Sequence, residues 1–215
     1  MYWGFMLKLS THMWADESAK PQGWYLPKPY NECNRVDLDI WDNTVRFLAE
    51  NKYNMVLIDV GDGVKYESHP EISAPDAWDK DLLRKKLAEM RALGLEPIPK
   101  LNFSTSHDTW LKEYRRMVSS KPYYQVCADL IAEVCDIFKP RFFHLGMDEE
   151  SPECIKHSEY AVCRQGELYF HDLKYLCDCV STLGAKPWIW SSPLYDMSEL
   201  FKKKISKDEI VISPY

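Results

Sequence analysis

The sequence predicts a parallel α/β fold, a (β/α)8 TIM barrel of which about six βα units are present. Three observations carry this expectation. Short apolar runs alternate with longer amphipathic segments along the chain, the pattern of strands joined by crossover helices. The first run passes into Ser10-Thr11-His12-Met13-Trp14 without a glycine, whereas a doubly wound nucleotide binder needs a glycine-rich loop there. Polar or acidic residues instead follow nearly every run: His12, Asp59 and Asp62, Asn102 and His107, Asp148 and Glu149, Ser191 and Ser192. Barrel enzymes carry their active sites at that end of the strands.

Each element has its own signal. Residues 4–9 form the first apolar run, and Pro21, Pro27 and Pro29 mark a loop after it. Trp41, Val45 and Leu48 recur at spacings of four and three, which predicts a helix over 38–52. The β-branched run 55–60 ends at Gly61-Asp62-Gly63, a strand entering a loop. A helix over 80–93 places Leu83, Leu87 and Met90 on one face and stops at Gly94. The third strand, 95–101, contains Pro97 and Pro99; lacking N–H donors, these predict an irregular or poorly paired section. Helices over 110–118 and 123–138 end at Lys139-Pro140, followed by a strand over 142–146. A helix over 167–183 stops at Gly184, and a strand over 188–190, a helix over 197–205 and a strand over 210–213 complete the chain. A closed barrel has eight strands in about 250 residues. The expectation is therefore one catalytic domain over 1–215, incomplete at its C-terminus by two βα units.

Composition narrows the function classes. A chain of 215 residues suits one domain with a substantial core. A net charge of -6 and a pI near 5.6 argue against nucleic acid as a partner, which requires a basic face. Lys202-Lys203-Lys204 reads as the solvated face of a helix. No run is long enough to span a membrane, and the first residues lack the basic region, apolar stretch and cleavage site of a signal peptide. The compartment stays open: cytoplasmic if Met1 is the natural start, secreted or periplasmic if the N-terminus lies upstream. Seven cysteines cannot all pair within the chain. Cys127 and Cys135 read as buried small hydrophobes, whereas Cys154 and Cys163 share a loop region and could pair. Cys154, His157, Cys163, His171, Cys177 and Cys179 match no paired zinc spacing, so neither metal nor other cofactor is expected. Eight Trp and thirteen Tyr suit a large core or a carbohydrate site, where rings stack on sugar faces.

The chemistry concentrates in Phe142-Phe143-His144-Leu145-Gly146-Met147-Asp148-Glu149-Glu150. Alternation sets Phe143 and Leu145 on one side of the strand and His144 on the other. Adjacent carboxylates on a straight strand would diverge, so Asp148 and Glu149 converge only if the backbone turns near Gly146, which a glycine permits. Two close carboxylates repel as anions, which pushes one pKa upward and divides acid from anion as glycosidases do. The same run also reads as an acidic helix start with Ser151 as cap and Pro152 in the first turn. The residues alone leave both readings open. Trp188 and Trp190 point to one side of their strand, either lining a pocket or packing a core.

His144-Leu-Gly-Met-Asp148-Glu149 resembles the His-x-Gly-Gly-Asp-Glu signature of glycoside hydrolase family 20, the β-N-acetylhexosaminidases. Residues 54–60 with Tyr66-Glu-Ser-His-Pro-Glu71 look like that family's second strand and loop. Residues 93–99 leading to His107 resemble its third strand, and Lys186-Pro-Trp-Ile-Trp190 its fifth. The resemblance runs in order over about residues 4–215. It implies retaining, substrate-assisted hydrolysis, an exception to the scheme with a protein nucleophile. Glu149 would be the acid/base, and Asp148 would orient and polarise the 2-acetamido group that attacks the anomeric carbon. His107 would tune the acid, unless it is a polar loop residue. His144 would orient the carboxylates or be a core histidine. Trp188, Trp190, Asp62 and His12 would line the sugar site.

The chain also departs from the family pattern. No arginine stands in Leu7-Lys-Leu-Ser-Thr-His-Met-Trp14, so Lys8 or His12 would have to grip sugar hydroxyls. Lys100 and Asn102 replace acidic residues after the third strand, and Met147 replaces the second glycine. The expected function is an exo-acting β-N-acetylhexosaminidase whose partner is an N-acetylhexosamine-containing carbohydrate. Two alternatives stand beside it: a non-catalytic carbohydrate-binding barrel, and a same-fold glycosidase for sugars without an acetamido group.

Overall fold

The structure is a computed structural model that describes residues 2–9, 36–155, 160 and 162–214. Six strands are found among these residues: β1 (Gly4–Lys8), β2 (Met55–Asp59), β3 (Glu96–Lys100), β4 (Phe142–His144), β5 (Lys186–Trp190) and β6 (Val211–Ser213). All neighbours pair in parallel, and spatial order equals sequence order. That order, with helices in the connections, is the winding of a (β/α)8 barrel rather than of an open sheet with a switch point. The expected fold class holds.

Helices α1 (Leu38–Glu50), α2 (Lys80–Ala92), α3 (Lys121–Phe138), α4 (Pro152–Ile155), α5 (Gly166–Thr182), α6 (Ser192–Asp196) and α7 (Ser198–Lys204) fill the connections. Asp37 caps α1 by accepting from the Asp39 and Ile40 amides, each at 2.9 Å. Asp79 caps α2 by accepting from Leu82 N at 2.8 Å. Such caps satisfy orphan donors and are each worth about 1 kcal/mol. One segment differs in kind from expectation. Thr109–Met117 forms 3-10 turns broken at Lys112, whose φ is 51°, instead of an α-helix. The expected helix over 197–205 is found as α7, and Met197 leaves helical geometry between it and the short α6, which was not expected.

The prolines of β3 show why that strand exists. Glu96 N donates to Asn54 O and Val60 N donates to Lys100 O, so the even-numbered residues bond toward β2. Pro97 and Pro99 therefore turn their missing donors toward β4. Pairing with β2 runs in register over all five residues, whereas pairing with β4 reduces to Lys100 opposite His144. A proline is tolerated where no ladder bond is demanded.

Strand alternation sorts two cores. Val56, Ile58, Phe143, Leu145 and Ile189 join the large cluster under the helices. Met55, Leu57, Ile98 and Trp190, flanked by Phe142 and Trp188, form a smaller cluster on the inner face. The same inner parity carries Lys8, Asp59, Lys100 and His144, which lie at one level across β1 to β4. No helix among the described residues is long and apolar enough to cross a membrane. Cys154 and Cys163 are free thiols, so the pairing left open to them does not form, and Cys127, Cys135, Cys177 and Cys179 are free as well.

Candidate active site

The floor of the site is the polar inner layer. Lys100 Nζ stands 2.6 Å from Asp59 Oδ2, and both side chains are buried. Lys8 borders this pair: burial lowers its pKa, opposed by the charge of Asp59. His144 is buried, with ring centroids 5.3 Å from Trp188 and 4.3 Å from Trp190. Its Nδ1 accepts from Gly146 N at 3.0 Å, which places the proton of the neutral ring on Nε2. Burial, then the charge of Lys100, push its pKa well down, so it stays neutral. His144 thus serves as a core histidine that holds the turn after β4 through its backbone.

That turn brings the carboxylates together. Gly146 has φ +73°, and an added Cβ would overlap the Asn102 side chain. Met147 and Glu149 follow at φ 61° and 56°, a left-handed geometry that non-glycine residues adopt only when held. The holding bonds are visible. Tyr169 Oη donates to Met147 O at 2.8 Å, Ser106 Oγ donates to Asp148 O at 3.1 Å, and Ser104 Oγ donates to the same carbonyl. Ser151 caps the short α4, its Oγ accepting from Cys154 N at 3.3 Å. The two sequence readings therefore coexist: a helix start lies immediately beyond the carboxylate pair.

His107, from the loop after β3, stands between the two acids. Its Nε2 lies 3.1 Å from Glu149 Oε2 and 3.4 Å from Asp148 Oδ2. Asn102 Nδ2 donates to Asp148 Oδ1 at 3.0 Å. Burial pushes the His107 pKa down, but its bonds to Asp148 and Glu149 outweigh this and raise it. Burial pushes the Asp148 carboxyl up, yet the His107 bond and charge, Lys100 and Asn102 hold it at about 2. The expected repulsion between neighbouring anions does not raise Asp148, because His107, Lys100 and Asn102 stand against it. Exposure divides the acids: the Asp148 side chain is 5% accessible and that of Glu149 45%. His107, Asp148 and Glu149 offer ligand atoms within 4.8 Å of one another, close enough to share a cation.

The remaining expected residues spread out. Trp188 and Trp190 line the inner face beside His144, and Trp188 Nε1 donates to Ser213 Oγ at 2.9 Å. Asp62 is buried in the loop after β2, near the Tyr66 phenol whose pKa its charge helps to raise. His12 lies outside the described residues. Beside the pair, a cavity of about 640 Å³ opens between the turn after β4 and the α6–α7 segment, lined by Glu149, Glu150, Gln165, Tyr195 and Asp196 among others. Sequence reasoning passed over Ser104, Ser106, Tyr169 and Arg164. The serines share the Asn102-Phe-Ser-Thr-Ser-His107 stretch, whose density of small hydroxyls was the available signal. Tyr169 and Arg164 carry no local signal.

No known protein-family profile matches the chain, and no curated protein sequence does either. Solved structures do. A GH20 β-N-acetylhexosaminidase from Streptomyces coelicolor superposes with a TM-score of 0.67 at 12% identity, over 99% of this chain and 42% of that one. The GH20 exo-β-N-acetylglucosaminidase of Vibrio harveyi, bound to N-acetylglucosamine, gives 0.64 at 16%, over 84% and 36%. A mutant Streptomyces plicatus β-hexosaminidase in complex with the product GlcNAc gives 0.66 at 13%, over 98% and 47%. The chain therefore has the fold of a partial (β/α)8 barrel of the kind found in GH20 glycoside hydrolases. It spans less than half the length of each of these three proteins.

Proposed function

We propose that this barrel belongs to a glycoside hydrolase that releases a terminal β-linked N-acetylhexosamine by substrate-assisted retention. The observation that carries the reading is the His107 bridge between one buried, ionised acid and one accessible acid. Glu149, open to solvent on one side, protonates the glycosidic oxygen and later takes a proton from water. Its oxygen next to Nε2 is fixed by the imidazole, which leaves the other free to face the leaving group. Asp148, held anionic by His107, Lys100 and Asn102, accepts the acetamido N–H and stabilises the positive charge of the cyclised intermediate.

The geometry disfavours a protein nucleophile. A conventional retaining enzyme flanks the scissile bond with carboxyl groups about 5–5.5 Å apart. Here both acids meet one imidazole nitrogen, with ligand atoms within 4.8 Å, and so approach a sugar from the same side. On this reading the attacking atom comes from the substrate. Hydrolysis of an aryl N-acetyl-β-glucosaminide, against a panel of aryl glycosides lacking the acetamido group, tests the proposal. Equal turnover of glucosides would favour the same-fold glycosidase, and no turnover of any glycoside the carbohydrate-binding alternative.

A further inference from the structure

Glu150 completes a run of three acids, but its side chain is turned away from Asp148 and Glu149 into a closed network. Arg164, from the segment before α5, grips it in a fork: Nε donates to Glu150 Oε2 at 3.0 Å and Nη2 donates to Oε1. Nη2 also donates to Phe103 O at 2.6 Å, and Nη1 donates to Asp172 Oδ2 at 3.1 Å. Thr105 N donates to Glu150 Oε1 at 3.0 Å. The side chains of Arg164 and Asp172 are wholly buried, and that of Glu150 nearly so. Asp172 also accepts from Ser119 Oγ at 2.7 Å on the same oxygen and from Tyr124 Oη at 2.5 Å on the other.

One guanidinium therefore adds a further tie between two loops already joined by the Asn102, Ser104 and Ser106 bonds to Asp148. Phe103 and Thr105 lead to His107, two residues further on, and Glu150 is the neighbour of Glu149. Glu149 sits at a left-handed φ that its own backbone does not favour, so something outside it must hold it there. Arginine suits this task because its planar fork fixes direction as well as charge.

We infer that Arg164 and Glu150 are positioning residues that set the separation of His107 from Glu149, and with it the competence of the acid. The inference rests on the proposed role of Glu149 and adds residues to it. Arg164→Lys keeps the charge but cannot reach Glu150, Phe103 O and Asp172 together. Its kcat is expected to fall by about 10²-fold, the scale of a misplacement near 1 Å, with KM little changed.

A second readout needs no turnover. The charges acting on His107 include Asp148 and Glu149 from the turn after β4, Lys100 from β3 and the neighbouring Asp108 of its own loop. Titration of the His107 ring, followed by NMR on the full chain, should move down toward the ordinary histidine value in Arg164→Lys as Glu149 drifts away. Glu150→Gln, which retains an acceptor for Thr105 N, should shift it the same way by less. It serves if the lysine variant does not fold. Asp172→Asn separates positioning from general loosening: it should lower thermal stability yet leave the His107 titration and kcat close to wild type. Wild-type titration and kcat in both Arg164→Lys and Glu150→Gln would overturn the inference. A shift in Asp172→Asn as large as that in Arg164→Lys would also overturn it. If Glu149→Gln were fully active, the proposed reaction would fail while the titration still tested the clamp.

Discussion

Lys100 Nζ lies 2.6 Å from Asp59 Oδ2 across two neighbouring strands, with both side chains shut off from solvent beneath the carboxylate pair. A buried ion pair is costly to break from one side, because the remaining charge is left unpaired. Lys100→Met should therefore destabilise the protein by about 3–5 kcal/mol, and Lys100→Met with Asp59→Leu by less than that single change. Urea denaturation of the three proteins checks this. A double variant less stable than Lys100→Met would contradict the pairing.

Gly146 provides a second test. Alanine there meets both an unfavourable φ of +73° and the Asn102 side chain. Gly146→Ala should cost about 1–3 kcal/mol from backbone strain alone, and also displace the Asn102 bond to Asp148. Activity should fall more than stability accounts for. A variant with unchanged melting temperature and activity would show that the turn is not built as described.

If Glu149 acts as proposed, Glu149→Gln removes the transferable proton, an assistance typically worth about 10²–10⁴-fold in rate. Aryl substrates with good leaving groups should suffer least, since they need the least protonation. Steady-state kinetics over a series of aryl N-acetylglucosaminides would show the loss steepening as the leaving group worsens. A loss independent of the leaving group would argue for a structural role.

Asp148→Asn should depress the chemical step far more than substrate binding, because its charge matters once the acetamido group becomes cationic. A thiazoline analogue of the cyclised intermediate should inhibit the wild type strongly and this variant weakly. Equal inhibition of the two would count against substrate assistance.

The His107–Asp148 contact also predicts how stability follows pH. The folded-state pKa of His107 is raised, so its contribution is fully present below the unfolded value of about 6.5 and is lost as pH rises through the folded value. The carboxyl of Asp148 is held at about 2 against about 3.9 unfolded, so its contribution is present above the unfolded value and lost as pH falls toward about 2. These are two halves of one interaction, on the order of 2 kcal/mol together, and are not additive. Urea midpoints should peak between about pH 4 and 6.5. His107→Gln should flatten both flanks of that profile; an unchanged profile would remove His107 as the partner.

Much of this was legible in the chain. The periodicity of residues 55–60 and 80–93 is enough for a strand and a helix, because a buried face must repeat at the spacing of its element. Asp148, Glu149 and His107 stand out because polar groups at strand ends have few structural reasons to cluster. Other features were not legible locally. Residues 109–117 read as an α-helix, and nothing in their spacing reveals the kink at Lys112. The pairing of Glu150 with Arg164 spans fourteen positions of loop, a separation at which no periodicity operates.

The sequence by itself determined the alternation of strands and helices, the shared side of Trp188 and Trp190 on their strand, and the turn that only a glycine at position 146 accommodates well. All three follow from local stereochemistry and from which faces must be buried. Tertiary structure alone decided how the surroundings of the two acids differ. Two adjacent carboxylates are electrostatically alike along the chain, and the folded barrel makes them unlike. It closes Asp148 against His107, Lys100 and Asn102 while leaving Glu149 nearly half accessible. Charge acts through space and burial, and neither is written at the spacing of neighbouring residues.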